Sequence, residues 1–352
     1  MKFHYRFSNL LGTVYRRGNL LFAPDGTTII SPVGNKLSVY DLKSHTSVTL
    51  PIESRSDFTT LSLSPNGIIL LAANAEGEIH LVSLVSRSVL HTLRTNRNIA
   101  DIEFSPDSRH FAVARENNVF VYRSPGPHTR EYSPFALERV FKGAYDDTTC
   151  LRWSSCSRIL AVGSRDSNTR LYAFEKLENL STYSIGGHAE PVVGVFFEKD
   201  SLCAYTVSRN GHLAVWESSL EPHELKTLAR DKSKTEKNKK GKRQKRDGDE
   251  SEDEVPNEEE DGAEGNVETV DAAGADQQKK GTGEEGKLFY KRRARHFLKD
   301  ILPEGDKRAD LTAADYHQST KILVTGFSNG AFFIHEMPDC SLIHSLSISD
   351  QG

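Results

Sequence analysis

A turn that returns at a fixed interval constrains this chain more than any other feature. Phe22-Ala-Pro-Asp-Gly26, Leu63-Ser-Pro-Asn-Gly67 and Phe104-Ser-Pro-Asp-Ser108 place their prolines at 24, 65 and 106, 41 residues apart both times. Proline presets φ for a turn, Asp or Asn favours it, and Gly supplies positive φ. Weaker copies follow at Trp153-Ser-Ser-Cys-Ser157, Phe197-Glu-Lys-Asp-Ser201 and Tyr316-His-Gln-Ser-Thr320. After each anchor come a small, apolar run, a Gly, Asn or Asp turn, and a second run such as Asn35 to Tyr40, Gly77 to Val82 or Gly330 to His335. Short β-branched and aromatic runs between turn signals are strands. A period of about 40 to 45 residues is that of four-stranded propeller blades.

The stretch from Gly187 to Trp216 is the fullest copy. It opens on Gly187-His188, carries strands Val192 to Phe197 and Ala204 to Val207, turns at Arg209-Asn210-Gly211 and closes at His212 to Trp216, the pattern of a WD repeat. In such blades a His, a Ser or Thr of the second strand, a turn acid and the Trp form a buried hydrogen-bonded chain. A buried indole N–H and imidazole must be satisfied. Those places fall here to His188, Thr206, Asn210 and Trp216. The expected fold is an all-β WD40 propeller with six recognisable repeats of a seven-bladed ring. Phe3 to Leu10 reads as a strand that completes the last blade. The chain stops just after the run Leu342 to Ile348, where the next blade should begin, so a truncated sequence is expected.

Composition adds a charged insert. From Arg230 to Arg246 there are ten Lys or Arg and two acids, and from Asp247 to Glu264 eleven acids and no base. Removing those blocks from the net charge of -4 leaves about -1, so the body gives no electrostatic argument for wrapping nucleic acid. A stretch so charged and so poor in apolar residues cannot offset the entropy of ordering. The expected organisation is blades one to five over 1–218, a disordered insert over 219–286, and a basic helix plus sixth blade over 287–352. The helix reading places Leu288, Arg292, Arg295 and Lys299 along one line and Phe289, Ala294, Phe297 and Leu298 on the apolar side.

Lys239, Lys240, Lys242, Arg243, Lys245 and Arg246 look like a nuclear import signal, and Ser251 precedes acids as acid-directed kinases prefer. Lys291, Arg292, Arg293 and Arg295 are candidate RNA contacts, with Phe289 and Tyr290 placed for stacking; the alternative is a helix whose charges face water. No catalytic, cofactor or metal site is expected. Gly326-Phe-Ser328-Asn-Gly330 matches a nucleophile elbow, but a strand follows it where the elbow needs a helix. Gly281-Thr-Gly283-Glu-Glu-Gly286 has no preceding strand, and its glutamates would repel a pyrophosphate. Cys150, Cys156, Cys203 and Cys340 lack zinc spacing and read as buried thiols. With no apolar run near the length of a membrane helix and no secretory leader, an intracellular protein without a membrane partner is expected.

Three stretches resemble one family: Tyr5 to Asn19, Leu81 to Leu90 and Ser341 to Gln351. They look like the N-terminal propeller of the periodic tryptophan protein 2 family. The resemblance implies a nucleolar scaffold of the small-subunit processome, a ring holding other WD-repeat subunits, precursor ribosomal RNA and the small nucleolar ribonucleoprotein during rRNA processing. It also implies a second propeller and a helical C-terminal region that this chain lacks. The alternative is a WD-repeat adaptor of another nuclear complex, such as a ligase substrate receptor or chromatin reader.

Overall fold

The computed structural model describes residues 18–125, 135–228, 268–271 and 286–347. They form six sheets, each with four antiparallel strands ordered from the centre outward, one of which gains a fifth, parallel strand at its outer edge. Blade one is β1 (Leu21–Phe22), β2 (Thr28–Val33), β3 (Lys36–Asp41) and β4 (Thr46–Glu53). Blade two is β5 (Phe58–Leu63), β6 (Ile69–Asn74), β7 (Glu78–Ser83) and β8 (Ser88–Arg94), and blade three is β9 (Ile99–Phe104), β10 (His110–Arg115), β11 (Asn118–Arg123) and β12 (Leu137–Lys142). Blade four is β13 (Thr148–Trp153), β14 (Ile159–Ser164), β15 (Thr169–Ala173) and β16 (Thr182–Ile185). Blade five takes β17 (Val192–Phe197), β18 (Ala204–Ser208) and β19 (His212–Ser218); β20 (Glu268–Asp271) lies within the insert, and β21 (Tyr290–Phe297) then completes the blade. Blade six is β22 (Leu311–His317), β23 (Ile322–Phe327), β24 (Ala331–Glu336) and β25 (Ser341–Ser347).

The repeating turn joins the first two strands of each blade, and its chemistry is the one the residues dictate. Asp25 Oδ1 accepts the amides of Thr27 and Thr28 at 2.9 and 3.0 Å. Asn66 and Asp107 do the same for Ile68 and Arg109. Positive φ falls four residues after the anchor at Gly26, Gly67, Ser108 and Ser157. In the two weakest copies it falls at Asp200 and Lys321, one residue early and one late.

Five apolar clusters form the core, one at each interface between successive blades. Strands between two neighbours are buried on both faces, and β14 and β18 are buried at every position. That burial is why they read as unbroken small and apolar runs. Among the described residues no such cluster joins blade six to blade one. On β23 and β24, buried Leu323, Thr325, Phe327, Ala331, Phe333 and His335 alternate with half-buried or exposed Ile322, Val324, Phe332 and Ile334. One face of blade six is therefore packed, and among the described residues the other is only partly covered.

Innermost strands present unpaired edges to the channel, and side chains satisfy part of that edge. Asn19 exchanges two hydrogen bonds with the backbone of Leu61, at 2.6 and 2.8 Å. Phe104 donates to Ser62 Oγ, Leu151 to Asp101 Oδ2 and Trp153 to Glu103 Oε2. Thr149 and Gln318 donate to the carbonyls of Val192 and Phe197. Each of these bonds ties one blade to its neighbour.

Two expectations change. The segment expected as a basic helix is the strand β21, followed by a short 3-10 turn at Leu298–Ile301. The outer edge of β19 is open because the insert interrupts blade five after its third strand, and pairing along that edge outweighs the helical periodicity of an isolated segment. The insert is correspondingly shorter than 219–286. Leu225 is buried, Thr227 bridges Leu177, and Asn179 contacts both flanks, accepting from Lys226 N and donating to Gly286 O. Within it β20 pairs in parallel with β12, opposite Arg139 to Lys142. The import-like residues Lys239 to Arg246, Ser251 and the N-terminal run Phe3 to Leu10 lie outside the described residues.

Candidate functional site

Blade five carries the polar chain that its sequence announces, with one member elsewhere. Thr206 Oγ1 lies 2.9 Å from Trp216 Nε1, which donates to it, and 2.7 Å from His188 Nε2. Burial, followed by the charges of His212, Arg295 and Arg292, holds the His188 imidazole down at about 4, so it is neutral near pH 7. Asn210 is not part of this chain. Its Oδ1 accepts the Ser208 hydroxyl at 2.6 Å and the His212 amide at 3.2 Å. Asn74 and Asp166 close the same turn in blades two and four. His188 Nδ1 is buried without a hydrogen-bond partner.

The four basic candidates stand together on β21, outermost in blade five, and all are exposed. Their faces differ. Arg292 is opposite Trp216 and Arg295 opposite Ala214, while a bulge between these pairs leaves Arg293 as the extra residue. An even spacing of side chains would put residues three apart on opposite faces; the bulge puts Arg292 and Arg295 on one. Arg295 donates to His212 Nδ1 at 2.5 Å and lies over the Phe297 ring at 5.2 Å. Phe297 and Phe289 are exposed, whereas Tyr290 is buried and donates its hydroxyl to the Leu202 carbonyl. Of the two rings expected to stack on a ligand, Tyr290 is thus a core residue and Phe289 remains exposed.

A second group of charges lines the channel, a space of about 910 Å³ bordered by inner-strand residues of all six blades. Arg152 lies 3.5 Å from Asp101 Oδ2 and 5.6 Å from the centre of the Phe196 ring. Burial pushes the Glu103 carboxyl up to about 8, while Arg152 draws it back down; burial raises Asp101 as well. Sequence reasoning missed this group although a signal existed. Glu103, Arg152 and Asp315 each sit immediately before a turn anchor, at Phe104, Trp153 and Tyr316. Once the blades are in register, that position faces the channel.

Ser328 sits in the β23–β24 hairpin, its Oγ accepting the Asp310 amide. The four cysteines are unpaired thiols; Cys150 is buried and raised to about 11, mainly by burial, and the other three are half-buried. Among the described residues no three metal-ligating side chains converge, and no helix is long and apolar enough to cross a membrane.

Comparison with known proteins agrees with this architecture. Residues 135–172 match the WD domain, G-beta repeat family, a span that runs from just before β12 to within β15. A crystal structure of the Myceliophteria thermophila Cps50 (Swd1) beta-propeller domain superposes with a TM-score of 0.61, covering 96% of this chain and 88% of that one, at 13% identity. That likeness speaks for the fold alone. The periodic tryptophan protein 2 homolog of Mus musculus is 42% identical over 100% of this chain and 36% of its own length. The Saccharomyces cerevisiae and Arabidopsis thaliana proteins called periodic tryptophan protein 2 are 31% and 34% identical over 99% of this chain, and 32% and 38% of their own lengths. The chain therefore spans about a third of these relatives. Aligned along its whole length with proteins of that one name from animals, fungi and a plant, and folded into WD-repeat blades, it belongs to the periodic tryptophan protein 2 family.

Proposed function

We propose that the protein is a non-enzymatic scaffold of ribosome biogenesis, acting in the nucleolus within the small-subunit processome. Its blades hold other WD-repeat subunits, and precursor rRNA and the small nucleolar ribonucleoprotein are held directly or through those partners. The observation that carries this reading is family correspondence across every blade. The channel charges support it: Asp101 and Glu103 are engaged by neighbouring-strand amides, a stitching role rather than that of an acid and base poised over a substrate. The residues from Lys239 to Arg246 serve nuclear import in this reading, Ser251 is a phosphorylation site, and the basic residues of β21 contact RNA.

We also propose a seventh blade between blades six and one. The supporting observation is the partly covered face of blade six among the described residues, with Val324 37% exposed, together with Phe22 of blade one at 62%. Apolar sheet faces in propellers are ordinarily covered by the next blade.

Crosslinking and sequencing of RNA bound to the full-length protein in cells, alongside affinity purification and imaging, tests the scaffold reading. Precursor rRNA, WD-repeat partners and a nucleolar signal are expected. Recovery of a ligase or chromatin complex without precursor rRNA would replace this reading with that of an adaptor.

A further inference from the structure

We infer that the face of β21 turned toward blade four, from Arg292 beside Trp216 to Arg295 beside His212, binds a backbone phosphate of single-stranded RNA. The inference deepens the RNA-contacting part of the proposed function and rests on it. It separates the four basic residues of β21 into two that form a site and two that only add charge.

The geometry begins with the bulge. Because Arg293 is the extra residue, Arg292 and Arg295 lie on the sheet face that carries Trp216 and Ala214 of the neighbouring β19, the face packed toward blade four. The Arg292 guanidinium reaches the loop entering blade five: its Nη1 lies 3.6 Å from where a Cβ on Gly187 would stand, beside the Trp216 ring. Gly187 adopts φ of +112°, a conformation that suits glycine. Arg295 reaches the same region from the other side, donating to His212 Nδ1. Arg292, Arg295 and His212 all lie near enough to His188 to disfavour its protonation, and His188 Nδ1 has no partner.

What this cluster lacks is a counter-charge. Among the described residues, no carboxylate forms an ion pair with Arg292 or Arg295, whereas nearby Arg209 and Lys299 both pair with Asp310. Two guanidiniums on one face without an acid present the forked donors that match a phosphate.

The ligand class follows from what surrounds the pair. Lys291 and Arg293 continue the positive charge along the exposed strand, and Phe289 and Phe297 stand exposed at its two ends, 56% and 49%. A track of charge with rings to stack on fits a repeating polyanion carrying bases, better than it fits one phosphorylated side chain.

The test is fluorescence anisotropy of the whole chain with a labelled oligouridylate of about 12 nucleotides, within the span of known single-strand sites. It is run between about 50 and 200 mM salt. Arg292→Ala with Arg295→Ala is expected to weaken binding about tenfold or more and to lower the salt slope by about 1 to 2. Lys291→Ala with Arg293→Ala, which removes the same net charge, is expected to cost less. Unchanged melting curves would show that both variants fold, and Arg292→Lys with Arg295→Lys is expected to restore only part of the affinity, because an ammonium lacks the fork. Equal losses in the two alanine pairs would overturn the site in favour of a diffuse charged face. So would binding of a phosphoserine peptide without binding of the oligouridylate, or no binding of either. If the Arg292 and Arg295 variants of the full-length protein still recovered precursor rRNA from cells, the site would fail while the scaffold reading stood.

Discussion

Thr206 stands between two groups that cannot be left unsatisfied. It accepts from Trp216 Nε1 and meets His188 Nε2 in the interior of blade five, so its hydroxyl matters more than its volume. Thr206→Val is expected to cost about 1 to 3 kcal/mol, because the indole N–H loses its partner. Trp216→Ala is expected to cost about 3 to 5 kcal/mol through the cavity it leaves, and Asn210→Ala about 1 kcal/mol, the value of a turn hydrogen bond. Urea denaturation of the three variants checks the order; an Asn210 variant as damaged as the Thr206 one would return Asn210 to the network. Glu103 makes a prediction with a sign. Its carboxyl titrates at about 8 in the folded chain and at about 4.3 when unfolded. Between those values the folded chain keeps a proton that the unfolded chain has released. The protonated form's stabilisation is therefore full below about 4.3, falls as pH rises and is lost above about 8. Glu103→Gln, which keeps an acceptor for the Trp153 amide, should flatten the melting temperature across that window and gain on the wild type toward alkaline pH. Parallel curves for the two proteins would sink it.

At the level of the elements, blade five is assembled across an interruption, and the clamp at its base makes that possible. Asn179 holds Lys226 on one flank of the insert and Gly286 on the other, while Ser219 N donates to the Phe289 carbonyl. With both ends tied, the intervening length should contribute little to stability, since the cost of closing a loop changes by only about 0.6 kcal/mol per doubling. Replacing residues 229–285 by a short Gly/Ser linker is expected to leave the melting temperature within a few degrees, the shift for about 1 kcal/mol. A large drop would mean that the pairing of β20 with β12 supports blade three. This is also where sequence reading failed. Tyr290-Lys-Arg-Arg-Ala-Arg-His-Phe297 carries no alternation that marks a strand, because its bulge breaks the period of two and its outer side faces water. Its structure comes from the vacant edge of β19, some 70 residues earlier in the chain.

Across the whole molecule, stability runs from blade to blade, as expected where each unit packs only on its neighbours. Blades two to five are covered on both sides, and among the described residues blade six keeps one partly covered face bearing Val324 and Phe332. If a seventh blade covers that face, a thiol placed at Val324 should react rapidly with maleimide in this chain and slowly in the full-length protein. Equal rates would remove the case for a covering blade.

The sequence by itself determined the repeats, the positive-φ turns and the small apolar strand runs between them, because these depend on local backbone chemistry and on a period that survives without contacts. His188, Thr206 and Trp216 were legible for the same reason: each occupies a fixed place within one repeat. Tertiary structure alone decided that β21 is a strand, that Asn210 closes a turn while His188 Nδ1 goes without a partner, and that Arg292 and Arg295 face one way. It also gathered Asp101, Glu103 and Arg152 around one channel. Those outcomes depend on edges left open by distant segments and on the register between blades, and neither is written in any single stretch of the chain.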